Sequence, residues 1–319
     1  MIAATTFVLS VGISIILNYF YKTTWTFYSY KTKIPTGAGV LLIFFFLYHS
    51  YTNNLDTEIF IIIFFASMLY WIDDLRSLTA SIRFIIQFIT GGLIGYIAAL
   101  NHEFLSIFYL LCLIFTGGLI NILFTNVINF YDGLDLNLST LLIIFSITNI
   151  FIFNDNNNLV VQSIIILGFV IGFSVFNSIS NNLFFGDSGC FVISSYVTYL
   201  ILNLILSFNI NFVYFLIPFA LPLFDVLYVV ILRLYLKENL LLRNYHHLYH
   251  RTYFATKNKY YLLNQVLNVM MILICYNCLL FFKINNLISI VFSIFIITPI
   301  YYLSIIKFLK HREMTHGKD

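Results

Sequence analysis

The sequence predicts an all-α protein: a polytopic transmembrane helical bundle with its active-site cavity facing the cytoplasm. Three observations predict it. Hydrophobic residues make up 61% of the 319 positions and charged residues only 9%, and the mean hydropathy is +0.94. A soluble domain is nearer half apolar and a quarter charged, so the solvent for this much hydrocarbon is lipid. Apolar runs of spanning length recur along the whole chain. The cations fall almost entirely on one side once those runs are numbered.

A span needs about 17–25 apolar residues. Eleven helices are expected, at roughly 4–21, 37–51, 59–72, 80–99, 104–124, 137–153, 159–178, 189–208, 211–235, 261–282 and 284–306, with ten as the alternative count. Several are short, as helices are where a cytoplasmic cavity begins. The run from Thr5 to Tyr21 reads as a first span rather than a removed signal, since no cleavage pattern follows it. The polar stretches are too short to fold separately, so 1–319 is expected to form a single integral membrane domain. Cys275 and Cys278 form a C-x-x-C on an expected membrane helix with no second ligand pair, which reads as two small core residues.

Numbering the loops from an outside N-terminus places Lys22, Lys31, Lys33, Arg76, Arg83, Arg233, Lys237, Arg243, Arg251, Lys257, Lys259, Lys307, Lys310, Arg312 and Lys318 inside. Only Lys283, among 16 basic residues, falls outside. This is a strong positive-inside bias. The acids divide differently. Asp56, Glu58, Glu103 and Asp155 sit in outside loops, where a solvated charge needs no explanation. Asp73, Asp74, Asp132, Asp135 and Asp187 sit at inside helix ends within apolar sequence, and Asp225 lies inside the ninth helix. Ionisable groups at membrane depth are costly and mark functional sites.

Four segments carry chemistry. Asp73-Asp74 ends an apolar helix with Arg76 and Arg83 nearby; adjacent acids repel unless a divalent metal or a basic partner relieves them. Asn126, Asn129, Asp132 and Asp135 recur at three-residue spacing, with Gly133 where backbone can approach a ligand. Gly186-Asp187-Ser188-Gly189 opens a helix, where N–H groups can face an anion and Asp187 can hold Mg²⁺. The preceding Phe184 and Phe185 either stack a base or pack against neighbours. A long inside loop carries Arg243, His246, His247, His250 and Arg251, suited to phosphate or to anionic lipid heads.

In this order these segments resemble the polyprenyl-phosphate N-acetylhexosamine-1-phosphate transferases (glycosyltransferase family 4). The group includes phospho-MurNAc-pentapeptide translocase and the undecaprenyl-phosphate GlcNAc-1-phosphate transferases. Asp73-Asp74 resembles the family's paired aspartates, Asn126 to Asp135 its N-x-x-N-x-x-D-G-x-D, and Gly186 to Gly189 its G-D-x-G. Asn177 and Phe184 match positions lining the family's nucleotide pocket. Pro222, Asp225 and Arg233 match a P-x-x-D and Arg pattern, and His247-Leu248-Tyr249-His250-Arg251 its histidine loop. Pro35-Thr36-Gly37-Ala38-Gly39 looks like a shortened early P-T…G-G loop.

The resemblance implies transfer of a HexNAc-1-phosphate, GlcNAc-1-phosphate or a related one, from a UDP-sugar to undecaprenyl phosphate. UMP leaves, and a cell-envelope polysaccharide such as O-antigen is initiated. It implies Mg²⁺, or alternatively Mn²⁺, held by Asp187 with Asp73 and Asp74. It assigns catalysis to Asp73, Asp74, Asp132, Asp135, His247 and His250, and substrate binding to Asn126, Asn129, Asn177, Phe184 and Arg251. The partners are then a UDP-N-acetylhexosamine, undecaprenyl phosphate and membrane lipids, with a homodimer as an option and no nucleic acid. The setting is the bacterial inner membrane, with the site on its cytoplasmic side. Departures are Asn244 where the family has Asp, Cys190 after G-D-x-G, Leu136-Asn137 after the second motif, and Tyr249 as the middle loop residue. These favour the GlcNAc-type branch. The competing reading is a proton-coupled transporter, which also buries carboxylates in a bundle. Transporter sites favour the midplane of paired halves, and no such symmetry is seen here. A CDP-alcohol phosphotransferase would need a D-G-x-x-A-R segment, which is missing.

Overall fold

The structure is a computed structural model that describes residues 2–25, 35–53, 57–76, 78–100, 106–153, 156–178, 183–207, 216–239, 245–256, 263–281 and 295–307. Among them the chain is helical with no strand. It divides into two compact units, Met1–Phe212 and Val213–Asp319. The cations Lys31, Lys33, Arg243, Lys257, Lys259, Lys283, Lys310, Arg312 and Lys318 lie outside the described residues, as do Asn244 and the loop acids Asp56, Glu103 and Asp155.

The first unit holds α1 (Ile2–Trp25), a 3₁₀ turn (Ala38–Leu41), α2 (Leu42–Asn53), α3 (Thr57–Leu75), α4 (Ala80–Leu100), α5 (Ile107–Tyr131), α6 (Asn137–Ile152), α7 (Asn157–Asn177) and α8 (Gly186–Leu206). The second holds a 3₁₀ turn (Ile217–Phe219), α9 (Ala220–Tyr235), α10 (Leu248–Thr256), α11 (Leu263–Phe281) and α12 (Phe295–Lys307). Six helices are long and apolar enough to cross a membrane: Ala4–Thr24, Ala80–Leu100, Ile107–Tyr131, Asn157–Asn177, Gly186–Leu206 and Ile217–Tyr235. This is a membrane protein. The helix expected at 37–51 is interrupted. Gly37 takes a left-handed φ of 91°, a 3₁₀ turn follows, and α2 proper has only 12 residues. The helix expected from 211 is described only from the turn at Ile217.

In the first unit α8 is the central post, buried along nearly its whole length. Lipid supplies no hydrophobic drive between helices, so close packing and interhelical hydrogen bonds must hold them together. The sequence provides both. A Cβ on Gly91 would lie 2.2 Å from the carbonyl oxygen of Gly117, so α4 and α5 touch backbone to backbone. Gly168 and Gly172 of α7 accept Ser10 and Ser14 of α1 in the same way, and Ser14 Oγ donates to the Phe169 carbonyl at 2.7 Å. On α8, Ser194 bonds Thr125 of α5 at 2.6 Å, and Ser195 donates to Asn121 at 3.2 Å. Stacked rings add to the packing: Tyr70 on Phe191 at 4.4 Å and Phe46 on Tyr196 at 4.8 Å. These contacts fix α8 against the ends of α3 and α5, where the acids stand.

Candidate active site

The site in the first unit is built around the N-terminus of α8. A helix start leaves its first N–H groups without intrahelical partners. Here two carboxylates from other helices take four of them. Asp132, just past α5, accepts from Gly186 N at 2.8 Å and Phe185 N at 3.4 Å. Asp74, at the end of α3, accepts from Asp187 N at 3.0 Å and Ser188 N at 3.1 Å, and from Ser188 Oγ at 2.6 Å. Negative charge at a helix N-terminus is favourable in itself. The expected anion at this helix start is therefore the chain's own carboxylate, and these N–H groups are not open to a ligand. Desolvation pushes Asp132 above the ordinary carboxylate range, opposed by the two backbone N–H groups it accepts.

The early glycine loop completes this corner. Gly39 N donates to the Phe185 carbonyl at 2.9 Å, and Phe184 N to that of Pro35 at 3.0 Å. Gly186 has φ 80°, and a Cβ there would lie 2.1 Å from Gly37 N. A Cβ on Gly37 would meet Asp74 Oδ2 at 2.7 Å. Only glycine permits both the left-handed backbone and this approach.

The other two acids meet a guanidinium. Asp73 is buried and takes the Leu78 N–H on Oδ1, while its Oδ2 lies 3.2 Å from Arg83 Nε without hydrogen-bond alignment. Arg83 Nη1 reaches Asp187 Oδ2 at 3.3 Å, and Nη2 the Leu78 carbonyl at 3.3 Å. The Asp187 side chain is 28% exposed against 1% for Asp73, so Asp187 is the acid turned toward solvent. Asn129 stands within hydrogen-bonding reach of Asp187. One guanidinium thus ties Asp73 to Asp187 across 114 positions of sequence. The sequence puts both Arg76 and Arg83 near the paired aspartates; the structure makes Arg83 the basic partner, of Asp73 and of the distant Asp187.

The remaining predicted residues separate. Asn126 is half-buried and donates to the Ile122 carbonyl at 2.7 Å. Asn177 is buried as a clamp: its Oδ1 accepts from Leu136 N at 2.7 Å and its Nδ2 donates to the Leu183 carbonyl at 2.8 Å. That places it under the site rather than in it. Phe185 packs inward against Phe173 at 5.2 Å, whereas Phe184 stays half-buried. Asp135 is half-buried too, and burial raises its carboxyl above the ordinary range.

Among the described residues no group of three or more His, Cys, Asp or Glu has the arrangement of a metal cage. Mg²⁺ does not require one. It keeps several waters and binds through one or two carboxylates together with substrate phosphates. Asp187, partly exposed, and Asp73, whose buried Oδ2 has no hydrogen bond, fit that pattern.

Compared with known families, residues 57–205 match the model of Glycosyl transferase family 4. The match is a likeness over that segment, from α3 to α8. No curated protein matches the chain. The family segment runs from the start of α3 to the end of α8, so it contains every acid of the cluster, Arg83 and both asparagines of the second motif. The Pro35–Gly39 loop and the histidine segment lie outside it. The family match points to transferase chemistry, and the six apolar helices point to a membrane setting.

In the second unit, Asp225 of α9 accepts from His247 Nδ1 at 2.9 Å, Leu248 N at 2.9 Å and Tyr302 O–H at 2.6 Å. Arg251 donates from Nε to the His246 carbonyl at 2.7 Å, with its guanidinium 5.8 Å from the Tyr228 ring centroid. His246 meets Glu238 at 3.2 Å, and Glu238 also pairs with Arg233 at 3.3 Å. His250 is half-buried.

Proposed function

We propose that this protein transfers a HexNAc-1-phosphate from a UDP-sugar to undecaprenyl phosphate at the cytoplasmic face of a bacterial inner membrane. UMP is released, and the lipid-linked sugar starts a cell-envelope polysaccharide. The observation that carries the reading is the split of the acids at α8. Two are consumed in fixing the helix end, and two meet the Arg83 guanidinium. Phosphoryl transfer is catalysed mainly by positioning and charge neutralisation. A rigid helix end bearing one partly exposed carboxylate and one guanidinium supplies both. The basic bias of the inside loops supports the cytoplasmic side, and the eleven-span count belongs to the same reading.

In the reaction, an oxygen of the lipid phosphate bonds to the sugar-linked phosphorus of the UDP-sugar. The bond from that phosphorus to the bridging oxygen breaks, and this oxygen leaves on UMP. Attack is direct, because a phosphate monoester has its second pKa near ~6 and needs little help to lose its proton. A covalent route through Asp74 would break the three hydrogen bonds that its carboxylate holds. Asp187 and Asp73 would hold Mg²⁺, or Mn²⁺, which when bound offsets repulsion between the two phosphate groups. Arg83 neutralises charge beside them. Asn129 and Asp135 orient the donor, with Asn126 behind them, and Phe184 offers a ring face to the base. The resemblance assigns His250 and Arg251 to the diphosphate or the sugar.

The test is turnover by the purified protein in detergent with undecaprenyl phosphate, Mg²⁺ and radiolabelled UDP-GlcNAc or UDP-GalNAc. Label entering lipid with equal UMP release is the expected result. No transfer from any member of a broad UDP-HexNAc panel would sink the proposal.

A further inference from the structure

His247 is the loop residue whose chemistry invites a direct role, yet its surroundings are those of an anchor. Its ring is 2% exposed and Asp225 is 1% exposed. An ionised carboxylate is acceptor-only. Asp225 Oδ1 already takes the Leu248 N–H and the Tyr302 O–H, so the proton shared with Oδ2 sits on His247 Nδ1. The same carboxylate meets the first turn of α10, and Arg251 N closes that turn onto the His247 carbonyl at 3.1 Å. The ring of Tyr249 lies within 8° of parallel to the imidazole at 5.8 Å. Three elements of one unit, α9, α10 and α12, therefore converge on a single buried acid.

We propose that His247 is a positioning residue. Asp225 and Tyr302 hold its Nδ1–H, and through it the start of α10, so that His250 and Arg251 are presented in fixed register. This deepens the transferase reading and rests on it. The three residues act through their neighbours and do not touch substrate.

Asparagine decides the matter, because its side-chain N–H₂ can replace Nδ1–H toward Asp225 but it has nothing equivalent to Nε2. In the full-length detergent-purified enzyme, His247→Asn is expected to keep kcat within a few-fold of wild type. His247→Ala is expected to lose roughly 10–100-fold, as when the carboxylate partner of a working histidine is removed. A folded His247→Asn as inactive as His247→Ala overturns the proposal and assigns the chemistry to Nε2. A second arm needs no turnover. In ¹⁵N-histidine-labelled protein, His247 Nδ1 is expected to carry the proton, and Asp225→Asn to move it to Nε2. Should His247→Ala not fold, Tyr302→Phe removes one donor to Asp225 and is expected to shift the His247 ¹⁵N resonances. An unprotonated Nδ1 in the wild type, or resonances indifferent to both variants, overturns the anchor. Absence of transfer in every protein, with the protonation pattern as expected, overturns the transferase reading and leaves the anchor standing.

Discussion

Replacing Asp74 separates a carboxylate that holds a helix from one that handles substrate. Its three donors are Asp187 N at 3.0 Å, Ser188 N at 3.1 Å and Ser188 Oγ at 2.6 Å. A hydrogen bond contributes about 0.5–1.5 kcal/mol, or about 1.5–3 kcal/mol where one partner is charged, and three on one carboxyl do not add. Losing a helix cap alone costs about 0.5–2 kcal/mol. In Asp74→Asn the amide oxygen keeps part of this set, while the new N–H₂ group is forced against a donor. The loss expected from these terms is about 2–4 kcal/mol. In a unit of this size that corresponds to a fall in Tm of roughly 5–15 °C. Trp71 is a local reporter, since its Nε1 donates to Tyr21 Oη at 3.1 Å and Tyr21 Oη donates to the Thr36 carbonyl at 2.6 Å in the same corner. Thermal unfolding in detergent, followed by tryptophan emission, is the assay. A variant that unfolds at the wild-type temperature yet has lost transfer would show that Asp74 acts on substrate, and the capping account would be wrong.

Asp187→Asn is the counterpart: turnover and Mn²⁺ binding by electron paramagnetic resonance should be lost with Tm nearly unchanged, and retained Mn²⁺ binding removes the metal assignment. Gly186→Ala should prevent stable expression or lower Tm more than Asp74→Asn, because it opposes a φ of 80° and puts a Cβ 2.1 Å from Gly37 N; a wild-type Tm would contradict the packing of the two glycine loops. The neighbouring phenylalanines should part company. Phe185→Ala should cost about 3–5 kcal/mol of stability, whereas Phe184→Ala should leave stability near wild type and raise KM for the UDP-sugar. Equal effects in both assays would contradict their different burial.

The acids were legible in the sequence because an ionisable group beside membrane-length apolar runs is rare and costly. What each acid does was not, because that depends on partners far away in sequence. Asp74 and Asp187 are separated by 113 positions, and Asp132 and Gly186 by 54. Spacing marked Asn129 and the resemblance marked Asn177, but neither separated Asn129, near Asp187, from Asn177, which clamps two segments. Helix bounds followed hydropathy where a helix is long. They failed at 37–51, because hydropathy is blind to a left-handed Gly37 and to the backbone that Gly39 must admit. Asp225 stood out as an acid inside an apolar helix, yet its partner His247 lies 22 positions on, in a segment whose charge suggested a surface loop.

The glycines of the two short loops explain why the acids take the jobs they do. With Gly39 against Gly189 and Gly37 against Gly186, the early loop lies directly on the first turn of α8. A side chain at any of these positions would lift the loop, and with it the N–H groups of 185–188, away from Asp132 and Asp74. Those two acids would then be partly buried carboxyls without their donors, and an unsatisfied buried polar group is costly. The glycine contacts and the two capping carboxylates are therefore one device. Its output is the placement of Asp187, whose backbone N–H is held by Asp74 while its carboxylate faces out toward Arg83. A residue tied at its backbone and presented at its side chain is what a transfer reaction that depends on positioning needs. This is why substitutions at Gly37 or Gly186, neither of which carries a functional group, should impair transfer as surely as the loss of an acid.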